Sequence, residues 1–105
     1  TWPNVLGPTE LGAPNAQNLP FTLYQNQPNP FIGVTTIKYA LSEGGRVLLE
    51  VFDSRGSLVS TVVNSYMGRG TNQAIFDGRN LASGTYYCRL EVAGNAQTKQ
   101  MVILK

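Results

Sequence analysis

The sequence contains no histidine and only one cysteine, Cys88. The absence of histidine excludes Ser-His and Cys-His catalysis, and most sets of metal ligands, from this chain alone. A single cysteine cannot form an internal disulfide. Because Cys88 shares an alternating face with Tyr86, Leu90 and Val92, we expect it to be a buried apolar side chain and not a reactive thiol.

Charge is also scarce, since charged residues make up 13% of the 105 residues and the net charge is +2. The eight Lys and Arg residues are spread singly from Lys38 to Lys105, so no basic stripe supports binding to nucleic acid. No apolar run approaches the roughly 20 residues of a membrane span, and no signal peptide follows Thr1. We therefore expect a piece of a larger protein, without a nucleic-acid partner or a membrane span.

Apolar residues nevertheless make up 42% of the chain, which is enough for one folded domain. From Phe21 onward, turn sequences rich in Gly, Asp and Asn recur at the short spacing of an all-β protein. Between these turns lie seven candidate strands, at residues 21–25, 34–41, 46–53, 57–64, 71–77, 84–92 and 97–104. Such short connections favour antiparallel neighbours. The sequence therefore predicts an all-β fold, a seven-stranded antiparallel immunoglobulin-like β-sandwich.

One candidate strand differs from the others because it is apolar nearly throughout, from Val47 to Phe52. Strict alternation is typical of a strand with one face in water, so this segment is predicted to be central, with its outer face partly covered. A neighbouring loop, the N-terminal segment or a docked partner would each provide that cover.

Residues 1–20 have a different composition, rich in Pro, Gly and Asn and without a period of 2 or 3.6. We interpret them as a linker and residues 21–105 as the domain. Large apolar residues within the linker, such as Trp2 and Leu11, leave open whether part of it packs on this domain or on a preceding one.

The domain begins with a stiff segment, which we call the opening motif. Its two prolines fix their own φ angles, push Gln27 and Asn29 toward extended geometry, and cannot donate to a sheet ladder. Phe31 closes the segment as a hydrophobic anchor, which suits a domain boundary better than a catalytic loop. The residues assigned to the motif are Gln25, Asn26, Pro28, Asn29, Pro30 and Phe31.

No constellation of residues predicts catalysis, a metal site or a cofactor. Asp53 and Asp77 each stand at the first position of a turn that contains Gly, where Asp side chains commonly accept hydrogen bonds from backbone N–H groups. A calcium site is the alternative, but the expected Asp-x-Asp density is missing. We therefore expect both carboxylates to be structural and the domain to be no enzyme.

Aromatic residues raise a second alternative, a platform for stacking sugars. The candidates for exposure are Trp2, Tyr24, Tyr66 and Tyr87, but their order in the sequence does not bring them to one sheet face. Phe76 and Tyr86 fit the core better.

Together these segments resemble the type A C-terminal sorting domain of the type IX secretion system, found in the Bacteroidetes lineage. The usual pattern begins near L-x-Q-N-Y-P-N-P-F-N, continues through T-x-I-x-Y-x-L and V-x-L-x-V-[YF]-D-x-x-G, then W-D-G and L-x-S-G-x-Y, and closes with K-M-x-L-x-K. The matches within residues 21–105 are Leu23, Gln25, Asn26, Pro28, Asn29, Pro30, Phe31, Thr35, Ile37, Tyr39, Leu41, Val47, Leu49, Val51, Phe52, Asp53, Gly56, Asp77, Gly78, Leu81, Ser83, Gly84, Tyr86, Met101, Ile103 and Lys105.

The departures from this pattern are few. Gln27 stands for the usual Tyr, Ile32 for Asn and Phe76 for Trp. Gln100 precedes Met101 in place of Lys, although Lys99 lies next to it. The aromatic core position is thus kept, while one charge of the terminal basic motif is lost.

The resemblance implies a secretion signal carried behind a cargo on the same chain. Such a signal passes through the periplasm, directs its cargo through the type IX outer-membrane translocon, and is commonly removed by a sortase that joins the cargo to lipopolysaccharide. Cleavage would then fall within residues 1–20, and the cargo would reach the cell surface or the medium. An ending at Lys105 agrees with a true C-terminus.

Within this interpretation we expect recognition to involve the terminal strand, because a sandwich without a cleft presents strand edges to a partner. The assigned residues are Lys99, Met101, Val102, Ile103, Leu104 and Lys105. An equal alternative is that the four apolar residues only close the sandwich. A structural immunoglobulin-like spacer of an extracellular hydrolase shares V-x-[FY]-D-x-x-G but need not carry the opening motif together with the terminal segment. A carbohydrate-binding module is the third possibility.

Overall fold

A computed structural model describes residues 21–105, so the predicted linker and processing region at residues 1–20 lie outside the described residues. Within residues 21–105 the chain forms seven β-strands and no helix. The strands are β1 (Phe21–Leu23), β2 (Val34–Leu41), β3 (Gly45–Asp53), β4 (Leu58–Met67), β5 (Gly70–Asp77), β6 (Gly84–Val92) and β7 (Asn95–Ile103). It follows that this part of the chain has no helix that would cross a membrane.

The strands form two sheets in which all strand pairs are antiparallel. One sheet has three strands in the order β1-β2-β5, and the other has four in the order β4-β3-β6-β7. The predicted all-β fold of seven antiparallel strands is confirmed, and the two sheets are consistent with a β-sandwich. The immunoglobulin-like topology stays a prediction.

Some strand boundaries differ from the predicted ones by a few residues. The second and sixth strands run as predicted, at residues 34–41 and 84–92. β4 continues to Met67 because residues 65–67 still pair with the start of β3. β1 ends at Leu23, and β7 runs from Asn95 to Ile103, because its first residue pairs with Val92 across a tight turn.

The core lies between the inward faces of the two sheets, as the alternation of apolar residues predicts. Each large side chain that is fully buried contributes about 1.5–3 kcal/mol relative to leaving it in water. The buried hydrophobic residues are Phe21, Leu23, Phe31, Ile37, Tyr39, Leu41, Val47, Leu49, Val51, Phe76, Tyr86, Cys88, Leu90, Val92, Met101 and Ile103. The core positions predicted for Phe76, Tyr86 and Cys88 are therefore confirmed. Burial raises the pKa of the Cys88 thiol to about 12, so it stays protonated at neutral pH.

The predicted central position of the third strand is also confirmed, since β3 lies between β4 and β6. Its outward side chains Leu48, Glu50 and Phe52 are half-buried among those of the neighbouring strands. Arg89 of β6 contributes to this cover, with its Nη1 atom 3.9 Å from Glu50 Oε1 and 3.0 Å from Glu91 Oε1.

Both predicted turn aspartates bond to backbone N–H groups. Asp53 Oδ1 accepts from the N–H of Arg55 at 2.9 Å and of Ser57 at 3.0 Å, and these bonds, led by that from Ser57, lower the pKa of Asp53. Asp77 Oδ1 accepts from the N–H of Arg79 at 2.9 Å, and the Arg79 side chain lowers the pKa of Asp77 to about 2. Among residues 21–105, no three His, Cys, Asp or Glu side chains cluster as metal ligands would.

Among residues 21–105, one buried side-chain polar atom has no hydrogen-bond partner, the hydroxyl of the fully buried Tyr39. Burial without a partner raises the pKa of Tyr39 and costs the desolvation energy of the hydroxyl. We expect Tyr39→Phe to raise the free energy of unfolding by about 1 kcal/mol, measured by urea denaturation.

The matched control for this change is Tyr86→Phe. The Tyr86 hydroxyl donates a 2.7 Å hydrogen bond to the carbonyl oxygen of Ala82, so its removal should lower the free energy of unfolding by about 1 kcal/mol. A comparable loss in Tyr39→Phe would contradict the assignment of an unpartnered hydroxyl.

Candidate recognition surface

The opening motif and the end of β7 lie side by side, although about seventy residues of chain separate them. Phe31 forms an isolated parallel bridge with Ile103, the last residue of β7. The Phe31 N–H donates to the carbonyl oxygen of Val102 at 2.9 Å, and the Leu104 N–H donates to the carbonyl oxygen of Phe31 at 2.9 Å. The two segments that the sequence singles out separately therefore form one structural unit, which we call the junction.

Side chains of the opening motif complete the junction. Asn29 Oδ1 accepts a 2.9 Å hydrogen bond from the N–H of Val102, and Gln25 Nε2 donates at 2.7 Å to the carbonyl oxygen of Gln100. Amide side chains are suited to this task because each carries both a donor and an acceptor. The opening motif thus bonds to the outer edge of β7 from Gln100 to Leu104.

A buried hydrogen-bond network fixes the conformation of the opening motif. Asn26, with 2% of its surface exposed, donates through Nδ2 to the carbonyl oxygen of Pro28 and to Thr35 Oγ1, each at 3.1 Å. Thr35 Oγ1 also donates to the Pro28 carbonyl at 2.9 Å. The peptide bonds before Pro28 and Pro30 are both cis. Because buried polar groups are stable only when they are bonded, this network favours one conformation of the motif.

The inner side of the junction is apolar. Phe31, Met101 and Ile103 are each at most 1% exposed, and the ring of Phe31 packs edge-on against Phe76 with centroids 6.3 Å apart. Gly78 fits against this cluster, since a Cβ there would lie 3.0 Å from Ile103 Cδ1 and 3.2 Å from the Phe31 ring. The motif is therefore held on the domain by core packing as well as by hydrogen bonds.

The outer side of the junction exposes a small patch, which we call the terminal patch. Ile32 is 73% exposed and Leu104 46% exposed, while Val102 is half-buried. Lys105 is exposed and its Nζ atom donates at 2.7 Å to the carbonyl oxygen of Arg79. The patch consists of Ile32, Val102, Leu104 and Lys105.

The residues that the sequence assigns to recognition fall into a buried group and an exposed group. Met101 and Ile103 are buried, whereas Val102, Leu104 and Lys105 reach the surface, and Lys99 is half-buried. Sequence reasoning missed Ile32, whose only signal was that an isoleucine stands where the family pattern has asparagine. Among the assigned residues, Val102, Leu104 and Lys105 are therefore the ones accessible at the terminal patch, whereas Lys99 shares the face of Met101.

The structure limits how a partner could bind the terminal strand. An added strand needs free N–H and C=O groups along an edge. On β7 the carbonyls of Gln100 and Val102 and the N–H groups of Val102 and Leu104 already bond to the opening motif. A partner therefore cannot pair with this stretch of edge unless it displaces the motif.

The proposed aromatic platform is not assembled in the described part of the chain. Tyr24 lies beside the three-stranded sheet, whereas Tyr66 and Tyr87 share the outer face of the four-stranded sheet, at opposite ends of β3. As predicted, the three described tyrosines share no single sheet face. Tyr66 and Tyr87 alone do, but their separation along β3 prevents joint stacking. Trp2 lies outside the described residues.

A comparison with known protein families finds a match over most of the described residues. The family model described as "Secretion system C-terminal sorting domain" matches residues 26–104, a range that runs from the opening motif to the terminal patch. No curated protein matches the chain significantly.

Proposed function

The chain belongs to the family of type IX secretion system C-terminal sorting domains, and on this basis we propose how it directs a cargo protein out of the cell. As a member of this family, the chain is a sorting signal for secretion to the cell surface or the extracellular space. Domains of this family are signals and not catalysts, and they interact with the secretion machinery and with a cargo on the same chain.

We propose that the folded domain is recognised in the periplasm and leads its cargo to the type IX outer-membrane translocon. A sortase then cleaves within residues 1–20, so that residues 21–105 are removed as a unit. The boundary is supported by the opening motif, which bonds to β7 and so ties the chain from Gln25 onward to the domain. A cut on the N-terminal side of the opening motif would leave the folded residues 21–105 intact.

The observation that carries the proposed recognition mode is the junction. Because the edge of β7 is already bonded, recognition proceeds through the side chains of the terminal patch and not through strand addition. Ile32 and Leu104 provide exposed apolar surface, and Lys105 adds a positive charge at its rim. Apolar anchors with a polar rim are typical of protein-protein contacts.

The substitution Leu104→Asp tests this mode. The side chain is exposed, so the fold should be kept, while a carboxylate replaces an apolar contact and costs about 2 kcal/mol of binding, which is more than tenfold in affinity. We expect the amount of extracellular cargo to fall by about tenfold, with the cargo retained in the periplasm. The measurement is cell fractionation of a type IX-competent host that carries a reporter fused in front of this chain.

Leu58→Asp is the matched control. Leu58 is 52% exposed and lies on β4, at the opposite edge of the four-stranded sheet from β7. Export should be unaffected by this change. Equal export of both variants would remove the terminal patch from the proposal and favour a spacer role or a different recognition surface.

A further inference from the structure

A polar cleft lies on the outer face of the three-stranded sheet, beside the opening motif. Its volume is about 570 Å³, which is within the size range of small-molecule sites. The residues that line it are Tyr24, Gln25, Gln27, Thr36, Lys38, Thr71 and Gln73. None of these residues belongs to the terminal patch.

Strand register explains how these side chains come together. The Tyr24 N–H donates to the Lys38 carbonyl oxygen at 3.0 Å, and Lys38 pairs with Gln73 of β5. Neighbours across a sheet lie about 5 Å apart on one face, so these three exposed side chains form one row. Gln27 forms an isolated antiparallel β-bridge with Thr36, so the side chains of these two residues form the next row on the same face.

Most polar side chains of the cleft are free; the exception is Gln25, whose amide nitrogen is bonded in the junction. The side chains of Gln27, Thr36, Lys38 and Gln73 form no hydrogen bond or ion pair within residues 21–105. Arg55, Arg79 and Arg89, in contrast, each pair with a carboxylate. Two amides, two hydroxyls including that of Thr71, and one ammonium group therefore face a cleft that no carboxylate lines.

The cleft also has an aromatic wall. Tyr24 is 45% exposed, and the negative face of its ring attracts the polarised C–H groups on the apolar side of a sugar ring. Amide and hydroxyl groups beside an aromatic ring match the hydroxyls of a sugar, and Lys38 matches an acidic substituent. The geometry points to a binding site for a short acidic saccharide, a function independent of the proposed sorting role.

Other ligand classes fit less well. An extended peptide draws affinity from main-chain bonds at a strand edge, but in the middle of this face the backbone groups of β2 are paired on both sides. A nucleotide phosphate calls for several cations or a nest of N–H groups, and the cleft contains one lysine. A metal cation finds no carboxylate.

The test is a chemical-shift titration of the ¹⁵N-labelled chain of residues 1–105 with digalacturonate, and with cellobiose as the neutral probe. We expect digalacturonate to shift the backbone amides of Thr36, Lys38 and Gln73 and the side-chain amides of Gln27 and Gln73. Tyr24→Ala should weaken binding about tenfold, because the ring supplies the stacking surface. Lys38→Met should abolish the preference for digalacturonate over cellobiose.

Two variants on the other sheet serve as controls. Tyr87→Ala removes a tyrosine that is 36% exposed, and Lys99→Met removes a lysine of β7; neither should change the affinity. Absence of shifts with both saccharides, or shifts that map to the four-stranded sheet, would overturn the proposal. A preference for cellobiose over digalacturonate would overturn the proposed specificity for an acidic saccharide. Shifts at the cleft caused only by a peptide of residues 1–20 would assign it to the chain's own N-terminal segment and would also overturn it.

Discussion

Deletion of residues 99–105 is expected to abolish secretion of the cargo and leave it in the periplasm. The deletion removes the fully buried side chains of Met101 and Ile103 together with the exposed Leu104 and Lys105. It also removes the partners that hold the opening motif through Asn29 and Phe31. Loss of one large buried side chain typically costs about 2–5 kcal/mol, so losing two approaches the entire stability of a small domain. Fractionation of cells that express the truncated cargo measures the result.

A shorter deletion separates loss of the fold from loss of the recognition surface. Removing only residues 104 and 105 keeps Met101 and Ile103 in the core, so circular dichroism should still show a folded β-domain. We expect this variant also to be retained, because it lacks two residues of the terminal patch. Normal secretion after the longer deletion would refute the sorting role of this segment, whereas retention after the longer deletion alone would show that the fold, and not the patch, is required.

Much of the fold follows from local patterns in the sequence. Alternation in residues 34–41 and 84–92 predicts two strands to the residue, because each has one face in the core and one in water. The carboxylates of Asp53 and Asp77 bond to backbone N–H groups within four residues, so short-range turn rules suffice to assign them. Features set by neighbours in the chain are thus accessible from the sequence.

The junction could not be predicted from the sequence, because it depends on contacts between distant parts of the chain. Its bonds join Asn29 to Val102 and Gln25 to Gln100, and no period or turn rule connects residues so far apart. The prolines of the opening motif predict a stiff segment, but not the strand that the segment packs on. The occupied edge of β7 and the exposure of Ile32 both follow from that contact. The sequence therefore predicts the two segments but not that they pack against each other.

The junction makes the terminal patch dependent on the fold. Ile32 and Leu104 come from opposite ends of the domain, and the hydrogen bond from the Leu104 N–H to the Phe31 carbonyl oxygen holds them on one surface. A chain in which β7 has not yet formed lacks this surface, although it contains the same residues. Recognition through the patch would therefore select domains that have completed folding.

Phe31→Ala is the second change with a large expected effect, a loss of about 3–5 kcal/mol in the free energy of unfolding. Phe31 is 1% exposed, and its ring contacts Phe76 with centroids 6.3 Å apart, so truncation leaves a cavity between the opening motif and the core. The motif then has only its hydrogen bonds to hold it against β7. Urea denaturation measures the loss, and secretion of the reporter should fall with it.

Ile32→Ala is the matched control, because Ile32 follows Phe31 in the chain but is 73% exposed. We expect it to change the free energy of unfolding by no more than about 0.5 kcal/mol. Its effect on secretion should nevertheless be measurable, since Ile32 belongs to the terminal patch. If Phe31→Ala costs less than about 1 kcal/mol, the opening motif is not anchored by this side chain. Ile32→Ala should be stable but secreted less, whereas Phe31→Ala should be unstable and secreted less. The comparison separates recognition by the terminal patch from maintenance of the fold.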